Sequence, residues 1–130
     1  FKKTLQMENT NKTLILGASH KPERYAYIAA ERLTSNGYQI EQISYRNNEK
    51  PFGAIHDPGY FEKLKDIDTV TLYLGPQNQT EYYQKIIDLQ PRRVIFNPGT
   101  ENPEFIQKLH GANIKTEVAC TLVLLSTDQY

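Results

Sequence analysis

The sequence is poor in cysteine, has no excess of charge of either sign and contains no long apolar run. Cys120 is the only cysteine, which excludes an intrachain disulfide and a zinc site built from several cysteines. Lys plus Arg number 15 and Asp plus Glu number 15, and this balance argues against a dedicated nucleic-acid binder, because such proteins usually carry a basic face. No apolar run approaches the ~20 residues of a membrane span. We therefore expect a cytoplasmic protein without nucleic-acid or membrane partners.

A chain of 130 residues has the size of one ordinary domain, and 38% hydrophobic with 23% charged residues is the balance of a globular protein. Residues 1–11 are mostly polar and are expected to form a flexible N-terminal lead. Residues 12–130 show no internal repeat, linker or low-complexity segment. We therefore expect residues 12–130 to form a single domain.

Short apolar runs alternate with helical patterns throughout residues 12–130. Each run is almost entirely apolar, which indicates a parallel sheet covered on both faces. The expected fold class is α/β: a doubly wound parallel sheet, Rossmann-like, in three α/β/α layers. The predicted strands are 13–16, 38–45, 69–74, 93–96 and 114–118, with a short one near 54–55. The predicted helices begin at Pro22, Tyr60, Asn78 and Pro103, and a last short one lies within 119–127.

The loop between the first strand and the first helix has the composition of a phosphate-binding loop. Gly17 permits a tight turn, and the helix that follows presents free N–H groups and the positive end of its dipole to an anion. Ser19 adds a hydroxyl donor, and Lys21 and Arg24 add two cations. Because the Walker pattern and the later glycines of G-x-G-x-x-G are absent, a plain turn with a solvated Lys and Arg is the alternative.

Two further loops follow predicted strands. Arg46 stands at the end of the second strand, where an acidic residue usually binds the ribose of NAD, so a ligand with a ribose phosphate, such as coenzyme A (CoA) or NADP, fits better. A solvated surface Arg is the alternative. After the strand 93–96, Gly99 permits close backbone approach, and Asn97 and Thr100 supply neutral hydrogen-bonding groups. Glu101 is either a first-turn helix residue or a ligand contact.

The residues that could carry catalysis show no catalytic or metal-binding spacing. His20, His56 and His110 lack the spacing of metal ligands, and Ser19 beside His20 is not the arrangement of a catalytic triad. Cys120 lies in an apolar stretch and is expected to be a buried structural residue. We therefore assign no catalytic residue and no metal site.

Several segments, taken in chain order, resemble the small stand-alone CoA-binding protein family. This family is similar to the CoA-binding Rossmann-like domain of the succinyl-CoA synthetase alpha subunit. The Gly-Ala-Ser loop together with the Asn-Pro-Gly segment is the specific part of the resemblance. The segments are 13–19 (TLILGAS), 21–25 (KPERY), 69–74 (TVTLYL), 82–83 (YY), 93–102 (RVIFNPGTEN) and 119–125 (ACTLVLL).

The resemblance implies CoA as the cofactor and assigns parts of the ligand to particular loops. It places the diphosphate at the first loop and the adenosine ribose phosphate near Arg46. It places the adenine or its ribose beside 74–76 and the pantetheine end beside 97–99. The residues so assigned to cofactor binding are Gly17, Ala18, Ser19, Lys21, Pro22, Arg24, Tyr25, Arg46, Leu74, Gly75, Pro76, Asn97, Pro98 and Gly99.

The resemblance favours binding without catalysis. Synthetase activity requires a phosphorylated His on a second domain, and these 130 residues contain only the CoA-binding domain. The first hypothesis is therefore a stand-alone module that binds CoA or an acyl-CoA as a carrier, a sensor or a partner subunit. The alternatives are a small NADP-binding reductase and an interaction subunit with a vestigial nucleotide pocket.

Overall fold

Parallel strands form the centre of the computed structural model, which describes residues 12–44 and 55–130. Within these residues the sheet has six strands in the order β3-β2-β1-β4-β5-β6, and every neighbouring pair is parallel. This is the strand order of the doubly wound dinucleotide-binding folds, so the predicted Rossmann-like class is confirmed. The strands are β1 (Thr13–Leu16), β2 (Ile40–Ile43), β3 (Ile55–His56), β4 (Thr69–Leu72), β5 (Arg93–Phe96) and β6 (Lys115–Val118).

The strand order reverses at β1, which lies between β2 and β4. Leu16 pairs with Ile43 on one side and with Leu72 on the other, and Leu72 in turn pairs with Phe96. The strands therefore end level with one another, and the loops that follow them meet at one edge of the sheet. In open α/β sheets the ligand crevice lies outside this carboxyl edge, at the strand-order reversal.

Helices cover both faces of the sheet and complete the three predicted layers. One face packs against α1 and α4, and the other packs against α2, α3 and a 3-10 helix at Pro58–Lys63. The helices are α1 (Tyr25–Ser35), α2 (Tyr83–Leu89), α3 (Pro103–Gly111) and α4 (Thr121–Ser126). None of the helices in the described part of the chain has both the length and the hydropathy that crossing a bilayer requires.

The alternation of side chains along β1 supplies both cores. Leu14 and Leu16 join the core on the α2 and α3 side, whereas Ile15 faces α1. The buried face of α1 consists of three alanines and Leu33, as the sequence predicts, and its small side chains let the helix lie close to the sheet. Asn102 accepts a hydrogen bond from the Phe105 N–H (3.1 Å) and so caps α3 as predicted.

Two helices begin later than the sequence predicts. Pro22 does not start α1; it lies in a turn closed by the Arg24 N–H donating to the Lys21 carbonyl (3.0 Å), a turn position that proline favours. The helix at Asn78 is also predicted too early. Short 3-10 turns at Pro76–Asn78 and Thr80–Tyr82 come first, and α2 begins only at Tyr83.

Candidate functional site

Gly17 allows the ends of β1 and β4 to approach one another closely. Its φ of +99° is a conformation that favours glycine. A Cβ atom at this position would lie 2.9 Å from the Tyr73 carbonyl carbon and 2.9 Å from Leu74 Cδ2. Leu74 itself is buried against this contact. A glycine is therefore required where the strand order reverses.

The backbone N–H groups at the start of this loop are occupied within the protein. The N–H groups of Gly17 and Ala18 both donate to the Ile43 carbonyl, at 2.8 and 3.0 Å. The Lys21 N–H donates to Ser19 Oγ (3.1 Å). These bonds fix the shape of the loop. An anion at this loop would therefore be held by the first turn of α1 and by side chains, rather than by the N–H groups of Gly17 and Ala18.

A cleft of about 230 Å³ opens beside Gly17 at the carboxyl edge of the sheet. Three loops, those after β1, β4 and β5, contribute its walls. The structure thus brings together two loops that the residue patterns indicate and the 74–76 loop that the resemblance assigns. Arg24 is the one charged side chain in these walls as far as the described residues show. The lining residues are Gly17, Ser19, Arg24, Tyr25, Ala26, Tyr73, Gly75, Pro98, Gly99 and Thr100.

A second, more apolar pocket of about 210 Å³ adjoins the cleft. Tyr25, Tyr73 and Pro98 form walls of both cavities, so the two are neighbours along the same edge. Asn97, Cys120 and Leu122 complete the second pocket.

Cys120 is not the fully buried residue that the sequence predicts. It is partly exposed and lines the apolar pocket. The reason is its position. Cys120 directly precedes α4, with an extended backbone, in the loop that follows β6 at the carboxyl edge of the sheet.

Asn97 ties the loop after β5 to β4 and α4. Its side-chain N–H₂ group donates to Thr71 Oγ1 (2.6 Å) and to the Leu72 carbonyl (2.9 Å). Its side-chain oxygen accepts from the Thr121 N–H (2.8 Å). Although Asn97 lines the pocket, its polar atoms hold the pocket together, so it is a positioning residue.

Gln79 performs a similar bridging role between the loops after β4 and β5. Its fully buried side chain donates to the Leu74 carbonyl (2.9 Å) and to the Thr100 carbonyl (2.8 Å). Its oxygen accepts from Asn102 Nδ2 (2.9 Å). The bridge fixes the separation of two loops that both contribute to the walls of the cleft.

A neutral phenol, Tyr73, and a carboxylate, Glu101, lie at this edge of the sheet. Burial raises the pKa of Tyr73 to about 12, although hydrogen bonds with Thr121 and Thr71 act in the opposite direction, so its phenol stays protonated at neutral pH. The Glu101 carboxylate accepts from the Gly99 N–H (2.9 Å) and places a negative charge beside the β5 loop. Glu101 is therefore not a first-turn residue of α3; it lies before the cap Asn102 and makes a contact within the loop.

The other sequence-assigned residues lie around the cleft in different ways. Lys21 and Pro22 are exposed in the turn before α1 and do not line the cleft. Ala18 and Leu74 are buried behind it, and Pro76 begins a 3-10 turn. Arg46 lies outside the described residues, so its contact with a ribose phosphate stays a prediction.

The sequence names Thr100 as a hydrogen-bonding residue of one candidate loop, but it does not assign five other wall and support residues to the site: Ala26, Tyr73, Gln79, Cys120 and Leu122. Strand alternation is a signal for Tyr73: it points away from the side that buries Leu72 and Leu74, and therefore toward α1. No local signal identifies Gln79, because its partners are backbone carbonyls of two separate loops.

A wider depression of about 620 Å³ lies elsewhere, between α1 and β2. Its walls include Ala30, Glu31 and Gln42 and none of the glycine loops. We place the candidate site at the cleft instead, because that is where the strand order reverses and where the loops converge. In the described residues, no three His, Cys, Asp or Glu side chains are grouped so that they could hold a metal ion.

A family model described as CoA binding domain matches residues 11–126, which is most of the chain. The chain belongs to this CoA-binding domain family. The family confirms the resemblance drawn from the Gly-Ala-Ser and Asn-Pro-Gly segments. Among curated proteins, no sequence matches this chain.

Solved structures of small proteins share the fold of this CoA-binding domain. The crystal structure of an uncharacterized protein is similar at 44% identity with a TM-score of 0.86, and covers 93% of this chain and 98% of its own. Cell-free ID.343 from Thermus thermophilus is similar at 22% identity, with a TM-score of 0.78 and coverage of 99% and 97%. A hypothetical protein from Pyrococcus horikoshii OT3 shows 24% identity, a TM-score of 0.80 and coverage of 98% and 91%. The last two support the fold alone.

Proposed function

We propose that the protein binds CoA, or an acyl-CoA, in the cleft at the carboxyl edge of its sheet. The observation that carries the proposal is the convergence of three loops on one cleft where the strand order reverses, with Arg24 in its wall. Ligands of doubly wound folds bind at this place, and the family of the chain is one of CoA-binding domains.

The charges around the cleft orient the proposed ligand. The diphosphate lies at Arg24, Ser19 and the first turn of α1, where a cation, a hydroxyl and the positive end of the helix dipole favour an anion. The neutral pantetheine arm runs along Pro98 and Gly99, because the Glu101 carboxylate would repel a phosphate there. The adenine or its ribose lies beside Gly75.

In this proposal the protein is a stand-alone binding module, which acts as a carrier, a sensor or a partner subunit. Support comes from Asn97, a polar side chain at the proposed pantetheine end, because its amide is already engaged in holding loops together. Prolonged incubation with acetyl-CoA should release no more free thiol than incubation in buffer. Turnover above that background would contradict the non-catalytic part of the proposal.

Thermal unfolding with different nucleotides tests the choice of CoA. CoA at about 100 times its Kd should stabilise the protein by about 2.7 kcal/mol, because only the native state binds the ligand. NAD should leave the melting temperature unchanged, since the later glycines of the dinucleotide fingerprint are absent. Equal stabilisation by CoA and NAD would contradict the specificity. Stabilisation by NADP alone would favour the reductase alternative, and stabilisation by no nucleotide would favour a vestigial pocket.

Arg24→Ala tests the position of the diphosphate. The change should weaken CoA binding by about 1.5–3 kcal/mol, the range for hydrogen bonds to charged groups, and the loss should shrink as salt rises. Arg32→Ala is the matched control, because Arg32 is exposed in the last turn of the same helix. Titration calorimetry on both variants decides the matter: equal CoA affinities would place the diphosphate elsewhere.

Lys21→Ala should have a smaller effect than Arg24→Ala, since Lys21 does not line the cleft.

A further inference from the structure

We propose that the apolar pocket beside the cleft holds the acyl chain of a CoA thioester, so that the protein prefers CoA bearing a short uncharged acyl group to free CoA. The inference rests on the proposed binding of CoA and names the form of the ligand that the site selects. In this proposal the pocket lined by Cys120 and Leu122 determines which acyl group binds, and the neighbouring cleft receives the diphosphate.

The position of the pocket matches the far end of the ligand. Tyr25, Tyr73 and Pro98 are shared walls, so a linear molecule that leaves the cleft past these residues enters the pocket. The cationic side of the cleft is at Arg24, and the acidic side is at Glu101 beside Gly99. A ligand with its phosphates at Arg24 therefore directs its uncharged thioester end past Pro98 and toward Leu122.

The chemistry of the walls selects an apolar group. Leu122, Pro98 and two tyrosine side chains supply apolar surface, and no charged side chain is among the lining residues that the structure describes. The amide of Asn97 is already hydrogen-bonded on both its nitrogen and its oxygen. A carboxylate placed here would lose its water without gaining a charged partner, which is costly. Acetyl and butyryl groups therefore suit the pocket, and a succinyl group does not.

The size of the pocket limits the length of the chain. A dry apolar cavity of about 150 Å³ is known to accept benzene, and this pocket measures about 210 Å³. It thus has room for a few methylene groups and not for a long fatty chain. Tyr25, one of its wall residues, has 70% of its surface exposed, so the pocket borders solvent on that side.

Titration calorimetry with a thioester series tests the inference on the intact protein. The probes are CoA, acetyl-CoA, butyryl-CoA and succinyl-CoA. Each buried methylene should tighten binding about fourfold, equivalent to ~0.8 kcal/mol, so butyryl-CoA, with two more methylenes, should bind about fifteenfold more tightly than acetyl-CoA. Succinyl-CoA should bind no more tightly than CoA. If acetyl-CoA and butyryl-CoA bound no more tightly than CoA, the inference would be wrong while CoA binding stood. If none of the four bound, the proposed function itself would fail.

Filling the pocket locates the effect. Leu122→Trp should abolish the preference for butyryl-CoA and change CoA affinity by less than about threefold. Val123→Trp is the matched control, because Val123 is the next residue of α4, is 56% exposed and does not line the pocket. It should keep the full preference. An unchanged preference in Leu122→Trp would assign the acyl group to another place.

A second approach avoids any folding defect in the tryptophan variant. Cys120 is the only cysteine, so N-ethylmaleimide can be attached to the folded wild-type protein at this position alone. The label should remove the butyryl preference, and adenosine 3′,5′-bisphosphate should bind the labelled and unlabelled proteins equally. If the label weakened the bisphosphate and left the acyl preference intact, the pocket would hold the adenine instead, and the inference would be overturned.

Discussion

The two edges of the sheet use the same side chain, arginine, in opposite ways. At the amino edge Arg93 is 2% exposed and fully engaged: it donates to Thr69 Oγ1 (3.0 Å), to the Tyr130 carbonyl (2.6 Å) and to Glu117 Oε1 (3.3 Å). Its guanidinium also lies 4.4 Å from the centre of the Tyr130 ring. At the carboxyl edge, Arg24 is exposed in the wall of an open cleft.

The difference shows how a small domain separates stability from binding. The amino edge is closed by Tyr130, whose hydroxyl pairs with Thr13 Oγ1 (2.6 Å) and whose ring contacts Tyr38. The carboxyl edge buries amides such as Gln79 to hold its loops apart, while Tyr25 stays exposed at the mouth of the cleft. We therefore expect damage to the first edge to affect unfolding alone, and damage to the second to affect ligand binding as well.

Arg93→Ala should give the largest loss of stability, about 3–4 kcal/mol, because it leaves several buried hydrogen-bonding groups without partners. CoA affinity, measured on the fraction that remains folded, should not change. Urea unfolding measures the stability, and calorimetry measures the affinity. Arg92→Ala, at the neighbouring exposed arginine, is the control and should cost less than about 1 kcal/mol. A loss of CoA affinity in Arg93→Ala would show that the two edges are coupled.

Gln79→Glu should have the next-largest effect and lower the free energy of unfolding by about 3 kcal/mol at pH 7. The change places a carboxylate oxygen against the Leu74 and Thr100 carbonyls, to which the amide now donates. Burial raises the pKa of the new carboxyl above its unfolded value of about 4.3, so the folded state binds the proton more tightly. The part of the penalty that comes from charge is therefore absent below pH 4 and grows as the pH rises toward the folded pKa. A smaller loss remains at every pH, because the single O–H of a protonated carboxyl can serve only one of the two carbonyls.

The same variant should weaken CoA binding, because the bridge sets the spacing of two walls of the cleft. Gln107→Glu, on the exposed side of α3, is the isosteric control and should alter neither property. Urea unfolding at several pH values and calorimetry with CoA measure the two effects. Unchanged stability across the pH range would mean that the Gln79 bridge does not hold these loops.

Gly17→Ala should lower the free energy of unfolding by about 2 kcal/mol or more, and Gly37→Ala should lower it by about 1 kcal/mol. Both glycines have positive φ, +99° and +88°, so both substitutions strain the backbone. Only at Gly17 would the new Cβ also press on the Tyr73 backbone, whereas nothing lies within 4 Å of that position at Gly37. Gly17→Ala should therefore also weaken CoA binding, and Gly37→Ala should not. Equal unfolding free energies for the two variants would show that the close approach of Tyr73 adds nothing to the need for a glycine at position 17.

Most of the fold was predictable because it rests on local patterns. The apolar runs at 13–16, 69–72 and 93–96 are buried strands in the structure. The alanine face of α1 and the Asn102 cap of α3 also follow from short-range spacing. The start of α1 was predicted wrongly, because proline suits the first turn of a helix and the second position of a β-turn equally well. Only the bond from the Arg24 N–H to the Lys21 carbonyl decides between them.

The site was predictable at the level of loops and not at the level of side chains. A glycine with two cations identified the loop after β1, and a glycine with neutral hydrogen-bonding groups identified the loop after β5. Parallel strands bring the carboxyl ends of β1 and β5 to one edge. Cys120 and Leu122 were missed as pocket residues because the pocket also has Tyr25 in its wall, nearly a hundred residues away in the sequence. No short-range pattern encodes such a meeting. For the same reason, the sequence could not show that the Gly17 and Ala18 N–H groups donate to Ile43.

The Asp68–Arg92 pair at the amino edge provides the smallest and most pH-specific test. Arg92 donates to both carboxylate oxygens of Asp68, at 2.9 and 3.0 Å. Burial alone would raise the pKa of Asp68, but the hydrogen bonds from Arg92 and Thr69 outweigh it and hold the pKa below its usual value. Because Arg92 is more than half exposed, solvent screening limits the contribution of the pair to less than about 1 kcal/mol.

The depressed pKa fixes the sign of the pH dependence. The pair stabilises the folded state above pH ~4, the unfolded pKa of Asp, and its contribution disappears as the pH falls through the folded pKa. Arg92→Ala should therefore be less stable than wild type at pH 7 and equal to it once Asp68 is protonated in both. Asp68→Asn should remove this pH dependence, and the double variant should show no further loss. CoA affinity at pH 7 should be the same in all of these proteins, because the pair lies at the amino edge. A difference in unfolding free energy that persisted at pH 2 would assign the effect of Arg92 to packing, and a change in CoA affinity would contradict the separation of the two edges.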